Sequence, residues 1–536
     1  MSSPGAERAA RALPLWTRDD VAQRVLAGET VFIRHGRVIR IPAAWLDKHP
    51  GGALAILHFV GRDASDESDA YHDDKIQAMI DRYTVARVDI GLDGWEPLVP
   101  PVASGWLRRD GHWTRLGTAV REGSEILLVA GDVESAAGQP TLEDLQPGPS
   151  PLDPREQRRQ SLAYQELHRK VEAAGLYQCR YISGYGPEVV RYVLLAVLSA
   201  VAYRAGWFVA SAVFLGFFWH QLTFTAHDLG HLGVTHNWVL DRTIGTFIAD
   251  VLGGLSIGWW VDNHNIHHLV TNHPSHDPDI EHIPFFAIST HFLRSLHSSY
   301  YDNPMPFDAA SRIFLGVQDK LFYIVMGLAR FNLYALSYGF LWRARPVFNA
   351  SGTRGTKAGR WTYAWIAEVA CLALYWTWYS RVLIGLGSWQ RALVYALVSH
   401  VVASPLHVQI VLSHFSRSTE DLGPVESFPH RQLRTTADVA CPSYLAFLHG
   451  GLHLQVTHHL FPRLPRHNLK AASKLVKEFA KEQGLEYAEF GTFVEGNRDV
   501  LDVLADVAKQ VAFVRKVARA EVDEALAKVR VVTPAQ

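Results

Sequence analysis

Residues 192–226 read YVLLAVLSAVAYRAGWFVASAVFLGFFWHQLTFTA and run directly into His227-Asp228-Leu229-Gly230-His231. Arg204 is the only charged residue in that run. About 20 apolar residues cross a bilayer, so the stretch is long enough for two helices joined by a hairpin at Arg204-Ala205-Gly206. A second apolar block extends from Trp361 to Ser416, with Glu368, Arg381 and Arg391 as its only charges and a hairpin signal at Gly385-Leu386-Gly387. Helices buried in a large soluble core would have a similar composition. The lengths, and the flanking Trp361, Trp376, Trp378 and Trp389, favour a membrane. Two hairpins predict about four transmembrane helices and return the chain to the side where it began. Residues 227 to 360, and those from about 414 onward, then share one face, expected to be cytosolic. Thr243 to Trp260 and Leu321 to Trp342 are apolar but interrupted by Asp250 and Arg330, and are expected to be interfacial or semi-buried helices.

Composition narrows the rest. A chain of 536 residues divides into two or three units. The net charge of -1 gives no electrostatic footing for nucleic acid. Cys179, Cys371 and Cys441 are far apart and odd in number, and no disulfide framework or cysteine-based zinc site can be read from them. Residues 1 to 13 are polar and alanine-rich, without the apolar core of a signal peptide, so the N-terminal unit is expected to stay in the cytosol. The conspicuous residue is His, present 27 times.

Seven of the histidines fall in three clusters: His227 to His231, His264-Asn265-Ile266-His267-His268, and Gln455-Val456-Thr457-His458-His459. Spacings of i, i+3 and i+4 bring rings to one helix face. All three clusters are expected on the same side of the membrane, an arrangement that scattered core or surface histidines do not produce. Seven clustered imidazoles are too many for one metal, so two are implied. Nitrogen-rich, thiolate-free ligation suits iron among several first-row metals.

A separate signal lies near the N-terminus. A helix is expected from about Thr17, followed by short strands around Thr30 to Ile33 and Val38 to Ile41, split by a turn at His35-Gly36-Arg37. His49-Pro50-Gly51-Gly52 makes a sharp turn, and His72 follows on another predicted helix. With Ile33 to Val38 ahead of it and Gly61-Arg62-Asp63-Ala64-Ser65-Asp66 between the histidines, the run over residues 14 to 95 resembles the cytochrome b5 family. That resemblance implies haem b with His49 and His72 as axial ligands, a six-coordinate electron carrier, and leaves His58 as a pocket or surface residue. Asp63, Asp66, Glu67, Asp69, Asp73 and Asp74 are either a solvated face or a surface that steers a basic redox partner.

The histidine boxes resemble the membrane fatty-acyl desaturase and hydroxylase superfamily over residues 181–490. The implied fold is a small α+β haem domain fused to an all-α membrane domain with a cytosolic di-iron cap. The implied metal ligands are His227, His231, His264, His267, His268, His458 and His459, joined by His414 after the last span. Gln455, in place of a first histidine, looks like the branch with fused cytochrome b5 domains, and is a candidate outer-sphere residue. His400 and His407 are expected to be structural or tunnel-lining. His236, His276, His453 and His467 lie close enough to the boxes to support ligands. Residues 96–180 read as a linker with a break at Pro147 to Pro151 and a charged helix from Ser161 to Ala174; residues 491–536 read as a solvated amphipathic tail.

A finer similarity is to fungal sphingolipid desaturases acting at carbon 8 of the long-chain base. It is carried by Tyr164 to His168, Gly175 to Tyr177, His273 to Ile280 and Val456 to Asn468. It implies O2 as co-substrate, ceramide as substrate, an NADH-cytochrome b5 reductase as partner, and a multi-pass protein of the endoplasmic reticulum. Alternatives are a front-end acyl desaturase of the delta-5 or delta-6 type, a lipid hydroxylase with the same metals, and a haem-bearing membrane electron carrier.

Overall fold

The computed structural model describes residues 13–46, 48–109, 111–116, 138–345, 347–349, 352–354 and 362–532. The expectation for residues 1 to 12, and the start of the second apolar block at Trp361, lie outside them.

The N-terminal unit is a four-stranded sheet with helices on its rim. Its elements are β1 (Leu15–Trp16), α1 (Arg18–Leu26), β2 (Thr30–Arg34), β3 (Arg37–Ile41), α2 (Ala43–Leu46), α3 (Leu54–Leu57), α4 (Ser65–Tyr71), α5 (Asp74–Asp81) and β4 (Thr84–Val88), with strand order β1-β4-β3-β2. Thr17 starts α1 through a capping box with Asp20. His35 and Gly36 both take positive φ in the two-residue turn between β2 and β3, which suits the strand twist of a tight hairpin.

Residues flanking this unit are not a loose linker. Leu98 and Leu145 are fully buried with Val21, Val31 and Val38, and Ser150 Oγ donates to Leu422 O at 2.8 Å. The pre-membrane helix α6 (Pro154–Ala173) begins seven residues before the expected Ser161, capped by Asp153 with Pro at its first position.

The helical body follows: α7 (Gly186–Arg204), α8 (Phe208–Gly230), α9 (Trp238–Thr246), α10 (Ile257–Leu269), α11 (Ala309–Leu315), α12 (Gln318–Arg343), α13 (Thr362–Ile384), α14 (Trp389–Ala403), α15 (Pro405–Leu412), α16 (Phe428–Thr435), α17 (Gln455–Leu460), α18 (Leu469–Gln483) and α19 (Phe493–Val532). Both expected hairpins form, turning at Gly206 and Gly387 with positive φ. α8 packs against α7 on one side and α14 on the other. The outer faces of α7 and α14 expose Val190, Val193, Val197, Val394 and Leu397, surfaces suited to lipid rather than water.

Among the described residues four helical stretches are long and apolar enough to cross a membrane: Tyr181–Arg204, Phe208–Gly230, Gln318–Arg343 and Trp389–Leu412. This differs from expectation in one member. Arg330 does not interrupt α12; it is buried, donates to Gly253 O at 2.5 Å and lies 4.5 Å from the centre of the Trp219 ring, so its charge is satisfied inside the body. α13 is not among the four stretches; it carries Glu368 and Arg381 along with three Trp and three Tyr, although it shows Ile366, Val369 and Leu374 outward. The stretch around Asp250 bends by 112° between Trp238–Leu252 and Ile257–Leu269.

The C-terminal segment is also not a solvated tail over its first half. Val500, Leu504, Val507 and Val511, spaced for one helical face, are buried against Phe286, Phe322 and Leu412.

Candidate active site

Each box is placed by its own local structure. Ser256 caps α10 through Trp259 N, and the helix then carries His264, His267 and His268 on successive turns. α8 delivers His227 at its last turn, with His231 just beyond. Gly230 stands between them because the Trp260 ring lies where a side chain would be: an added Cβ would sit 2.1 Å from that ring. Short α17 presents His458 and His459, and His414 follows α15. All eight histidines are buried.

They gather into two adjoining groups. In the first, ligand atoms of His227, His231, His264 and His458 all lie within 4.8 Å of one another; in the second, those of His267, His414 and His459 do. His268 stands at the junction, its Nε2 3.0 Å from His264 Nε2 and 3.1 Å from His458 Nε2, while its ring stacks on His459 at 4.0 Å. Gln455 belongs to neither group, and its Oε1 is buried without a hydrogen-bond partner among the described residues.

The donor set fits metal ions. The Nδ1–H of His267 donates to Asp277 at 2.9 Å, that of His414 to Thr435 O at 3.2 Å and that of His459 to Gln432 Oε1 at 3.0 Å. The buried Nε2 atoms of His231, His414 and His459 have no hydrogen-bond partner among the described residues. Such orphaned nitrogens are costly unless something binds there. Burial holds His458 and His459 well below their ordinary range and takes His414 down to about 3, so these rings stay neutral and keep a lone pair. Burial acts the same way on His267, but Asp277 and Asp279 overcome it and lift that ring to about 9, the more basic ligand expected of a carboxylate–histidine pair. Asp277, Asp279 and Gln432 are the supporting residues that the box patterns do not reveal. The DPD run after the second box was a visible signal for the aspartates; nothing in the sequence marks Gln432.

The nearby histidines do other work. His236 donates to Tyr177 O, His276 pairs with Ser299, and His467 accepts from Arg180 N. His400 stacks on Phe331 at 4.4 Å, and His407 is buried. His58 is buried against His276, neither surface nor pocket-lining.

In the N-terminal unit, His49 and His72 face each other with ring centres 6.1 Å apart. Nδ1 of His49 bonds Gly52 O at 3.0 Å and Nδ1 of His72 bonds Ser68 O at 2.8 Å, which turns each Nε2 into the gap. Two metal–imidazole bonds of about 2 Å each, plus the ring radii, account for such a separation. Phe32, Trp45, Phe59 and Ile80 supply the apolar walls that a porphyrin requires. Half of the acidic run is not a free surface. Asp66 and Glu67 are buried, and Asp69 is held by Arg34 and His35.

The two sites share one cavity of about 490 Å³. Its wall runs from His49 and His72 past His231 to Ile257, Phe340, Leu341 and Trp365 in the helical body. Leu269, at the end of α10, is buried in the N-terminal unit's own core with Phe32 and Ile39. Burying such a side chain contributes about 1.5–3 kcal/mol to docking.

An arrangement of this kind defines a class, a membrane oxidoreductase whose metal centre sits beside its own electron-carrying domain. Residues 205–491 match the fatty acid desaturase family, and residues 17–89 match the cytochrome b5-like haem/steroid binding domain. A delta 8-(E)-sphingolipid desaturase of Emericella nidulans is 41% identical, with 93% of this chain and 95% of that protein covered. Another from Komagataella phaffii is 40% identical over 92% and 94%. A delta(8)-fatty-acid desaturase 2 of Arabidopsis thaliana is 29% identical over 88% of each. The chain belongs to the fatty acid desaturase family and carries a fused cytochrome b5-like domain. It is a membrane lipid desaturase; its first domain implies haem and its family implies iron.

Proposed function

We propose that this enzyme introduces a double bond at carbon 8 of the long-chain base of ceramide. It uses O2, a di-iron centre and electrons delivered through haem b from an NADH-cytochrome b5 reductase. The observation that carries the chemistry is the joining of a bis-imidazole pocket and two adjoining imidazole groups along one cavity. The near-full-length similarity to delta 8-sphingolipid desaturases supports the substrate.

His227, His231, His264 and His458 are the residues for one iron, and His267, His414 and His459 for the other, with His268 at the junction of the two groups. Iron bound there supplies oxygen activation and the oxidising power to remove two hydrogens from an inert chain. Asp277, Thr435 and Gln432 fix the rings of the second group so that each Nε2 is presented inward. Burial of all eight rings keeps bulk water from the reacting carbon. The apolar walls at Leu229, Ile257, Phe340 and Leu341 accept a hydrocarbon chain. Residues 14–95 form the haem domain, residues 181–490 the membrane catalytic domain, and both face the cytosol from the endoplasmic reticulum.

Expression in a yeast that lacks this unsaturation, with mass-spectrometric profiling of long-chain bases and fatty acids, tests the reading. The expected product is a carbon 8 double bond confined to long-chain bases. New double bonds in fatty acids alone would assign a front-end acyl desaturase, and a new hydroxyl would assign a hydroxylase. His49→Ala is expected to abolish product while leaving the non-haem iron bound; full turnover without an added carrier would remove the fused domain from electron delivery.

A further inference from the structure

Tyr71 is the last residue of α4 and is joined by one peptide bond to His72, the proposed axial ligand. Its ring leaves the haem domain and stands edge-on to His268, with centres 6.5 Å apart and planes at 85°. His268 is the imidazole at the junction of the two metal groups. One side chain thus touches the metal cluster and is bonded to the haem ligand.

The position is firmly held. Ala70 is fully buried with Tyr164, Leu167 and Val456, and Gln165 Nε2 donates to Asp66 Oδ1 at 2.9 Å, locking α4 to α6. The Tyr71 hydroxyl is buried and has no hydrogen-bond partner among the described residues. An unpaired buried hydroxyl costs about 1–3 kcal/mol. Hydrogen bonding therefore does not explain the residue, and the ring is what the position uses. The ring also fills space that would otherwise enlarge the cavity between the two sites.

We propose that Tyr71 is the coupling residue through which electrons pass from the haem to the metal pair. The inference rests on the function proposed above. Electronic coupling weakens more steeply across empty space than through bonded and packed atoms, and an aromatic ring is the most compact bridge that chain and packing allow here. In each transfer the haem iron goes from ferrous to ferric and one non-haem iron from ferric to ferrous. Tyr71 is neither oxidised nor reduced, and no proton crosses it. Two transfers, with O2 and two protons, balance the removal of two substrate hydrogens and the release of two waters. A second contact sets Gly51 against Asn265, beside His264: a Cβ on Gly51 would meet Asn265 Nδ2 at 3.3 Å. That contact has the His49 ring at its haem end, with His49 Cε1 3.2 Å from the same Cβ position, but on the other side it reaches an amide and not a ring of the metal groups.

The test uses the full chain loaded with haem and iron. The haem is reduced under argon, then mixed with O2 and ceramide while its absorbance is followed. Tyr71→Phe is expected to reoxidise within about twofold of the wild type and Tyr71→Leu at least about tenfold more slowly. Haem content, non-haem iron content and the rate of haem reduction are expected to be unchanged in both. Should Tyr71→Leu lose haem or iron, Tyr71→Met fills similar space without a ring and takes its place. Wild-type reoxidation in the aliphatic variant overturns the proposal, as does a Tyr71→Phe variant as slow as Tyr71→Leu. If lipid fails to accelerate haem reoxidation in the wild type itself, it is the desaturase reading that has failed, not the role of Tyr71.

Discussion

In the group of His267, His414 and His459, every ring is gripped from behind by an acceptor at 2.9–3.2 Å. In the group of His227, His231, His264 and His458, the rings lean mainly on one another and on Trp260. The two carboxylates nearest to this group, Asp228 and Asp279, stand 3.4 Å from His227 and His264, at the weak end of hydrogen bonding. Trp260 stacks on His264 at 4.4 Å and meets His231 edge-on at 5.4 Å. His231 is also the box histidine that lines the cavity. The contrast teaches that one imidazole group is preorganised by hydrogen bonds, while the other, nearest the open space, is shaped by ring packing.

The largest expected effect comes from removing a ligand in either group. His458→Ala should lower desaturation by more than about a hundredfold, and His459→Ala the same. Each should take non-haem iron from two per chain toward one, read by elemental analysis, with the haem absorbance unchanged. A wild-type iron content in His458→Ala would strike that residue from the ligand set. Loss of both irons in either variant would show that the two groups form one cooperative unit rather than two positions.

A smaller effect tests the grip itself. Asp277 is fully buried and also accepts from Asn272 N and Asp279 N, so Asp277→Asn keeps the shape while withdrawing the charge that lifts His267. Iron affinity and activity are expected to fall about 10–100-fold. Competition with a chelator measures the first and product analysis the second. An unchanged affinity would mean that backbone packing, not the carboxylate, orients His267.

The sequence made the histidines legible but not their partition. His49 and His72 lie within one short unit, and Pro-Gly-Gly announces the turn that aims the first. The boxes declare themselves because i, i+3 and i+4 repeat on helices. Yet neighbouring residues on a helix point about 100° apart. His458 and His459 therefore serve different groups; His264 and His267 also divide between the groups although their spacing puts them close to one face, so no local pattern says which ring goes where. Gln432 reaches the site from α16 by tertiary packing alone. Arg330 shows the opposite failure, in which a local reading was too strict: a charge appeared to interrupt a helix, but Trp219 and Gly253 O, both distant in sequence, accommodate it. The buried stripe of α19 had a readable period, but only Phe286, Phe322 and Leu412 turn a solvated amphipathic helix into part of the core.

The smallest effect is expected at Asp279, and it bears most directly on the contrast. Asp279 is the second carboxylate of the DPD run, 3.4 Å from His264 Nδ1 and 3.8 Å from His267 Nδ1, and its side chain is a quarter exposed. At those distances solvent screens it and the hydrogen bond is weak. Asp279→Asn should therefore reduce iron affinity by only about two- to threefold, well short of Asp277→Asn. The same chelator competition, run on both variants together, gives the ratio. Equal losses would mean that His264 is gripped as firmly as His267 and that the difference between the two groups lies elsewhere, in the Trp260 packing. In that case Trp260→Leu becomes the decisive variant, since it removes the stacked ring from His264 while leaving every hydrogen-bonded imidazole of the second group untouched.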